Sequence, residues 1–521
     1  MSKFISFYKL HRRFTIALAV LLLGALVSSV SLALSQSLTI HEQNHTLING
    51  TLESNGILYH SLHSLYQKAF GIHNTFALRL PSIICALGTI LLSAYLGYQL
   101  GGVRLACGGA FMLASNILFL ALAAHHRFYM LNQFLCVLCT LVWWQSLRHF
   151  ESRRWWWLYC VCLLSCFASM FLSSALAVGH ALLYIIFSPR RWQALGRYVM
   201  LAIAVVALLA GLIEHDPTSY GHVRYAQKWQ EELGQIAWSI SRQGTCLRHT
   251  LPTAELRLGI ERHRERQATL EQLSLVVGAL AILALILGIA DCFRAGAHRY
   301  HILALAVGIA ASVGALSLFS DLSKNVFTEA NLSWLIPFIS IFLASGFSRR
   351  GAFFQATFSA VCLMWMLCTP MAVQTTYLCG AGSANLRDTI NMFAQSRDLI
   401  VNDSSSHMPG LEFYGRDASL RVPPEQRDIN GAEAAIFLDA LEHSSNPVQL
   451  GHQEIRYLLR VAAITPSWRG RRIWLLYKSN PDLRKYDITE SLRENFGPDS
   501  AHEATIFDFK PAEGKLQLIY I

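Results

Sequence analysis

Glu42 is well placed in this sequence to remove a proton: it stands just past a long apolar run, with His41 before it and His45 close behind. A carboxylate at a partly dehydrated boundary has a raised pKa, which suits it as a general base toward a hydroxyl. His41 is a second candidate, since an imidazole is basic near neutral pH. A further cluster, His125-His126-Arg127-Phe128-Tyr129, falls between two apolar runs. A cation at such an edge is a functional candidate. The natural partner of Arg127 is an anion such as phosphate, which a guanidinium grips with two parallel hydrogen bonds. The plainer alternatives are that Glu42 is a solvated loop residue and that Arg127 reaches for lipid headgroups.

Arg79 stands two residues before Pro81, and the proline is expected to shape the start of a helix. Arg79 therefore has a structural reading, pairing with a loop carboxylate or headgroup, beside a substrate-binding one. The histidines His41, His45, His60, His63, His125 and His126 could face one cavity, but their spacing matches no metal-ligand pattern. No cofactor is expected, with a divalent ion as the lesser alternative.

The elements that position these residues are membrane spans. The chain has 521 residues, of which 53% are hydrophobic and only 15% charged, and its mean hydropathy is +0.36. That composition excludes an ordinary soluble protein. Apolar runs long enough to cross about 30 Å of hydrocarbon as helix occur near 14–34, 77–99, 105–123, 128–147, 156–173, 174–187, 198–213, 274–290, 301–319, 333–347 and 352–373. They predict about eleven spans, with the division of 156–187 the least sharp.

Charge orients them. With the N-terminus inside, the inner segments hold Lys3, Lys9, Arg12, Arg13, Arg104, Arg148, Arg153, Arg154, Arg190, Arg191, Arg197, Arg294, Arg299, Arg349 and Arg350 against only Glu151 and Asp291. This is the positive-inside pattern. The net charge of +10 is thus an orientation signal, and nucleic acid is not an expected partner. The first apolar run is longer than the core of a typical signal peptide and is expected to be a retained span.

The predicted domains are a membrane region over 1–374, with outer loops at 35–76 and 214–273, and a small soluble α/β domain over 375–521 on the outer side. In that tail, Leu399-Ile400-Val401, Ala435-Ile436-Phe437-Leu438 and Ile473-Trp474-Leu475-Leu476-Tyr477 read as strands. The long outer loop is amphipathic around Tyr225 to Ile240 and suits a membrane surface. Arg224 and Lys228 lie there.

Three segments together resemble a known family: His41-Glu42 after the first span, Gly56-Ile57-Leu58-Tyr59-His60, and Ala77-Leu78-Arg79-Leu80-Pro81-Ser82 opening the second span. They are similar to motifs of the polytopic glycosyltransferases of the C superfamily, particularly the family 39 type that includes protein mannosyltransferases and lipid A aminoarabinose transferases. The last segment is nearly identical to the family pattern. His126-Arg127-Phe128-Tyr129-Met130-Leu131 looks like the family's Glu-Ala-Arg-Met-Tyr-Leu run, and Trp334-Leu335-Ile336-Pro337-Phe338 is a looser echo.

The resemblance implies an integral membrane enzyme, bacterial inner membrane favoured. It would move a sugar from a polyprenyl-phosphate donor to a lipid, glycan or protein acceptor at the periplasmic or lumenal face, with inversion. It also implies roles. Glu42 or His41 would be the base, while Arg127, Tyr129, His126, His125, Tyr59 and Arg79 would hold donor or acceptor, with Arg224 and Lys228 as further candidates for the lipid phosphate. Two departures stand out. The family's catalytic Asp aligns with His41, and the Glu before its Arg motif aligns with His125 or His126. Either Glu42 or His41 takes over as base, or the chain is a non-catalytic lipid-binding scaffold of the same fold. A secondary transporter is disfavoured, since the spans show neither inverted halves nor paired Gly/Pro-interrupted segments.

Overall fold

The computed structural model describes residues 12–35, 56–70, 75–149, 151–187, 192, 195–201, 276, 279–290, 299–322, 332–348, 351, 355–360, 363, 366, 399–402, 448–451, 472–477, 502–508 and 515–520. The helices among them belong to one unit and the strands to a second.

The helical unit begins with α1 (Arg12–Ser35), α2 (Ile57–Phe70) and α3 (Thr75–Gly101). Three described helices are long and apolar enough to cross a membrane, at Phe14–Leu34, Phe76–Gly101 and Tyr129–Arg148. These coincide with the expected runs at 14–34, 77–99 and 128–147. Within the membrane a chain must satisfy its own backbone polar groups, so an apolar run of that length becomes a helix.

The expected span 105–123 is not one straight helix. It forms α4 (Val103–Ala114) and α5 (Ile117–Ala123), bent by 66° at Ser115-Asn116. The break has a local cause. The Oγ of Ser115 donates to the Met112 carbonyl at 3.2 Å, and the Asn116 side-chain oxygen accepts from the Phe119 N–H at 3.0 Å, capping the new helix. All seven residues of α5 are buried.

α6 (Tyr129–Arg148) and α7 (Arg153–Ser169) follow, then a 3-10 turn (Phe171–Ala175) and α8 (Leu176–Phe187). The less certain stretch 156–187 therefore divides at Met170. Further on are α9 (Ala279–Ala290), α10 (Arg299–Leu322) and α11 (Ile336–Ser348). Most of 198–213 and 352–373 lies outside the described residues.

Small residues let helices approach closely, as is usual in lipid. A Cβ on Gly108 would sit 3.0 Å from that of Ala344, where α4 packs on α11.

Pro81 was expected near the start of its helix, but α3 begins six residues earlier, at Thr75. Proline lacks an N–H, so the Ala77 carbonyl four residues back loses its helical partner. The Tyr66 hydroxyl of α2 donates to that carbonyl instead, at 3.2 Å.

The second unit contains a five-stranded mixed sheet: β1 (Leu399–Asn402), β2 (Val448–Gly451), β3 (Arg472–Tyr477), β4 (His502–Asp508) and β5 (Lys515–Tyr520), in the order β2-β1-β3-β5-β4. β1 is parallel to both β2 and β3, with Leu399 opposite Val448 and Ile473. β5 runs antiparallel to β3 and β4, with a register shift between Glu503 and Thr505. Two of the three expected strands, at 399–401 and 473–477, are present. The third, 435–438, lies outside the described residues.

Candidate functional site

One end of the helical unit gathers residues from four elements: the end of α1, the face of α2, the first turns of α3, and the corner between α5 and α6. α2 carries Tyr59, His63 and Tyr66 at helical spacing, which puts them on one face. Leu62 and Leu65, on the other side, are exposed.

Gly56 starts α2 with φ of 94°, a left-handed conformation that favours glycine. It also lies close to the corner, since a Cβ there would come within 2.7 Å of the Phe128 ring. Tyr59 is buried, and its hydroxyl meets the Ser82 Oγ at 3.4 Å. That Oγ in turn donates to the Arg127 carbonyl at 3.5 Å. A long but continuous polar chain thus links α2, α3 and the corner.

His126 is almost completely buried. Its ring lies 3.7 Å, centre to centre, from that of His63 and 5.7 Å from that of Tyr59, while Tyr59 and His63 stack in near-parallel fashion at 5.6 Å. Burial, with the nearby charge of His60 adding to it, pulls the His63 pKa down from 6.5 to about 4. His63 is therefore neutral at physiological pH.

Arg127 is half-buried. Its Nη1 donates to the Tyr129 hydroxyl at 3.2 Å, and its guanidinium carbon lies 5.4 Å from the ring centres of both Phe128 and Tyr129. The aromatic contacts are attractive in themselves, and they hold the planar fork in a set orientation. Arg79, by contrast, is fully buried, and its Nη1 donates to the Ala33 carbonyl at 2.9 Å. A cation at a helix C-terminus meets an unsatisfied carbonyl and the negative end of the helix dipole. Arg79 therefore ties α1 to α3.

The structure thus brings together Tyr59, Arg79, His125, His126, Arg127 and Tyr129 of the expected site residues. Glu42, His41, Arg224 and Lys228 lie outside the described residues. In the sequence reading, His63 appears only among the histidines of a possible metal cavity and Ser82 only as the end of a motif, and neither is read as a site residue. The 59-63-66 spacing could have marked His63, and Ser82 ends the most recognisable motif in the chain. Among the described residues no group of three or more His, Cys, Asp or Glu is placed to hold a metal.

The opposite end is basic, with Arg104, Arg148, Arg153 and Arg154 at helix termini. There Arg148 donates to the Gln99 side chain at 3.2 Å. Between α3, α6, α8 and α10 lies an apolar cavity of about 50 Å³, lined in part by Thr140, Trp143, His180 and His301. His180 bonds Thr140 at 3.2 Å and Tyr159 at 3.3 Å and stacks on Trp143, so both its ring nitrogens are engaged within the fold.

No protein-family model and no curated protein sequence matches the chain. Among solved structures, it is similar to ArnT from Cupriavidus metallidurans bound to undecaprenyl phosphate, with a TM-score of 0.48 and 12% identity over 98% of each chain. It is also similar to the archaeal oligosaccharyltransferase AglB from Archaeoglobus fulgidus in complex with an inhibitory peptide and a dolichol-phosphate. There the TM-score is 0.40 and the identity 12%, over 83% of this chain and 64% of that one.

Proposed function

We propose that this chain is an integral membrane glycosyltransferase that takes its sugar from a polyprenyl-phosphate donor. Transfer would occur, with inversion, to a lipid, glycan or protein acceptor at the outer face of the membrane. The observation that carries this reading is the Arg127 guanidinium, half-buried at a helix corner and oriented by Tyr129 and Phe128. The corner stands against the α3 segment that begins with the family-like Leu78 to Ser82 motif. A cation fixed in this way suits a phosphate leaving group, because it meets the developing charge without reorganising.

In the proposed reaction Glu42 is the first candidate base and His41 the second. The base removes the acceptor's hydroxyl proton as the oxygen attacks the anomeric carbon, and the bond to the phosphate oxygen breaks with its electrons left on the phosphate. Arg127, with Tyr129, His125 and His126 beside it, receives that charge. Tyr59 frames the site and Arg79 braces it, while Arg224 and Lys228 are further candidates for contact with the lipid phosphate. The basic end, with Arg104, Arg148, Arg153 and Arg154, faces the cytoplasm in this reading, and the soluble domain from about residue 375 lies on the other side. A bacterial inner membrane fits best.

The test is sugar transfer from a polyprenyl-phosphate donor by purified protein carrying Glu42→Gln or His41→Ala. Loss of turnover in one variant with donor binding kept identifies the base. Full activity in both would sink the assignment. Donor binding by the wild type without transfer to any acceptor would favour the scaffold reading.

A further inference from the structure

His63 and His126 form a feature that the proposed reaction does not use. Their rings are 3.7 Å apart, closer than any other ring pair at this end among the described residues. His63 is 6% exposed, and neither of its ring nitrogens has a hydrogen-bond partner among the described residues. Leaving two buried polar atoms unmatched is unfavourable. An imidazole in that condition is poised to change state when something nearby compensates it.

The surroundings indicate what that is. Among the described residues, the ionisable groups beside the pair on α2 and the corner are Tyr59, His60, Tyr66, Lys68, His125, Arg127 and Tyr129, with Arg79 at the start of α3 and Arg153, Arg154, Tyr159, Cys160, Cys162 and Cys166 on α7, which packs against α2. None is a carboxylate. Glu151 is the single carboxylate among the described side chains, and it stands beside Arg153 at the far end. Such a cluster of imidazoles and guanidiniums favours an anion. Two imidazoles in contact cannot readily both be charged, but a proton on one of them becomes favourable once a negative group is within a few ångströms.

We propose that His63 and His126 act as one proton-accepting pair, so that a phosphate anion docking at Arg127 draws a single proton from solvent onto the pair. No covalent bond to the ligand is made: a ring nitrogen gains the proton and the pair becomes an imidazolium-imidazole. His63 is a positioning residue, acting through His126. The proposal rests on the lipid-phosphate reading of the site and adds proton linkage to it.

The sign follows from linkage. In the free protein His63 is neutral above about pH 4, where burial has placed it. In the complex its pKa is higher. Between those two values binding takes up a proton, so affinity rises as pH falls, by up to about tenfold per pH unit. Outside that window the dependence vanishes.

The experiment uses the full chain in nanodiscs and a polyprenyl phosphodiester, which stays a monoanion from about pH 5 to 8, unlike a monoester that titrates near 6. Calorimetry in buffers of different ionisation enthalpy counts the protons taken up. The expected result is uptake approaching one proton at the acidic end, lost in both His63→Asn and His63→Phe. If the Phe variant does not fold, the Asn variant, polar and non-titrating, carries the comparison. Diethyl phosphate, the anion without its tail, should show the same uptake at lower affinity. Wild-type binding with no pH slope, or an unchanged proton count in His63→Asn, overturns the pair and leaves the lipid-phosphate reading standing. Absence of lipid binding at every pH overturns that reading itself.

Discussion

The Tyr66 hydroxyl donates to the Ala77 carbonyl oxygen at 3.2 Å, occupying the acceptor that Pro81, four residues further on, cannot bond. The proline of the family-like motif and a tyrosine of the preceding helix are thus two halves of one arrangement, which pins α2 against the first turns of α3. Tyr66→Phe should lower stability by about 1 kcal/mol, the usual net value of such a bond. Pro81→Ala restores an N–H and should make that loss smaller. A double-mutant cycle on thermal unfolding checks it: additive effects would mean that the two residues are not coupled.

Arg79 is expected to matter for stability more than for turnover. Arg79→Met leaves the buried Ala33 carbonyl without this donor and should cost about 1.5 to 3 kcal/mol, the range for a hydrogen bond to a charged group. The folded fraction of the variant should keep its KM for donor. A selective rise in KM with unchanged melting temperature would instead place Arg79 on the substrate.

At Arg127 the prediction is reversed. Arg127→Lys keeps the charge but loses the planar fork and its aromatic contacts, so donor affinity should fall about tenfold, equivalent to roughly 1.4 kcal/mol. Tyr129→Phe removes only the bond that orients the guanidinium and should cause a smaller loss of the same kind. Binding of the polyprenyl-phosphate donor to each variant is the measurement. Equal binding by wild type and Arg127→Lys would show that the fork does not grip the phosphate.

His63 also makes stability depend on pH. Its pKa is lowered from 6.5 to about 4 in the fold, so between those values the unfolded chain binds the proton and the folded chain does not. Stability is therefore complete above about pH 6.5 and is progressively lost as the pH falls toward 4. Hydrogen exchange of the α2 amides should quicken from pH 7 to pH 5, after correction for the intrinsic rate. In His63→Phe this acceleration should disappear.

Some of this was legible along the chain. The spans at 14–34, 77–99 and 128–147 could be read from composition, because in hydrocarbon the backbone has to bond to itself. The break at Ser115-Asn116 was present too, as two polar residues with cap chemistry inside an apolar run, but hydropathy summed over a window conceals it. Strand β5 alternates apolar and polar residues through Leu516, Gln517 and Leu518, and was missed because the segment is short and lies at the end of a polar tail.

Sequence by itself determined that this is a helical membrane protein with a cluster of cations and imidazoles at one edge, since span length and residue type are local properties. The partners of those groups were decided only in three dimensions. Arg79 meets Ala33 across 46 positions of sequence, and Ser82 meets Arg127 across 45. Periodicity says which face of a helix a residue occupies, but not which neighbour packs against it. The contact of His63 with His126 likewise joins α2 to the corner before α6 across 63 positions of sequence.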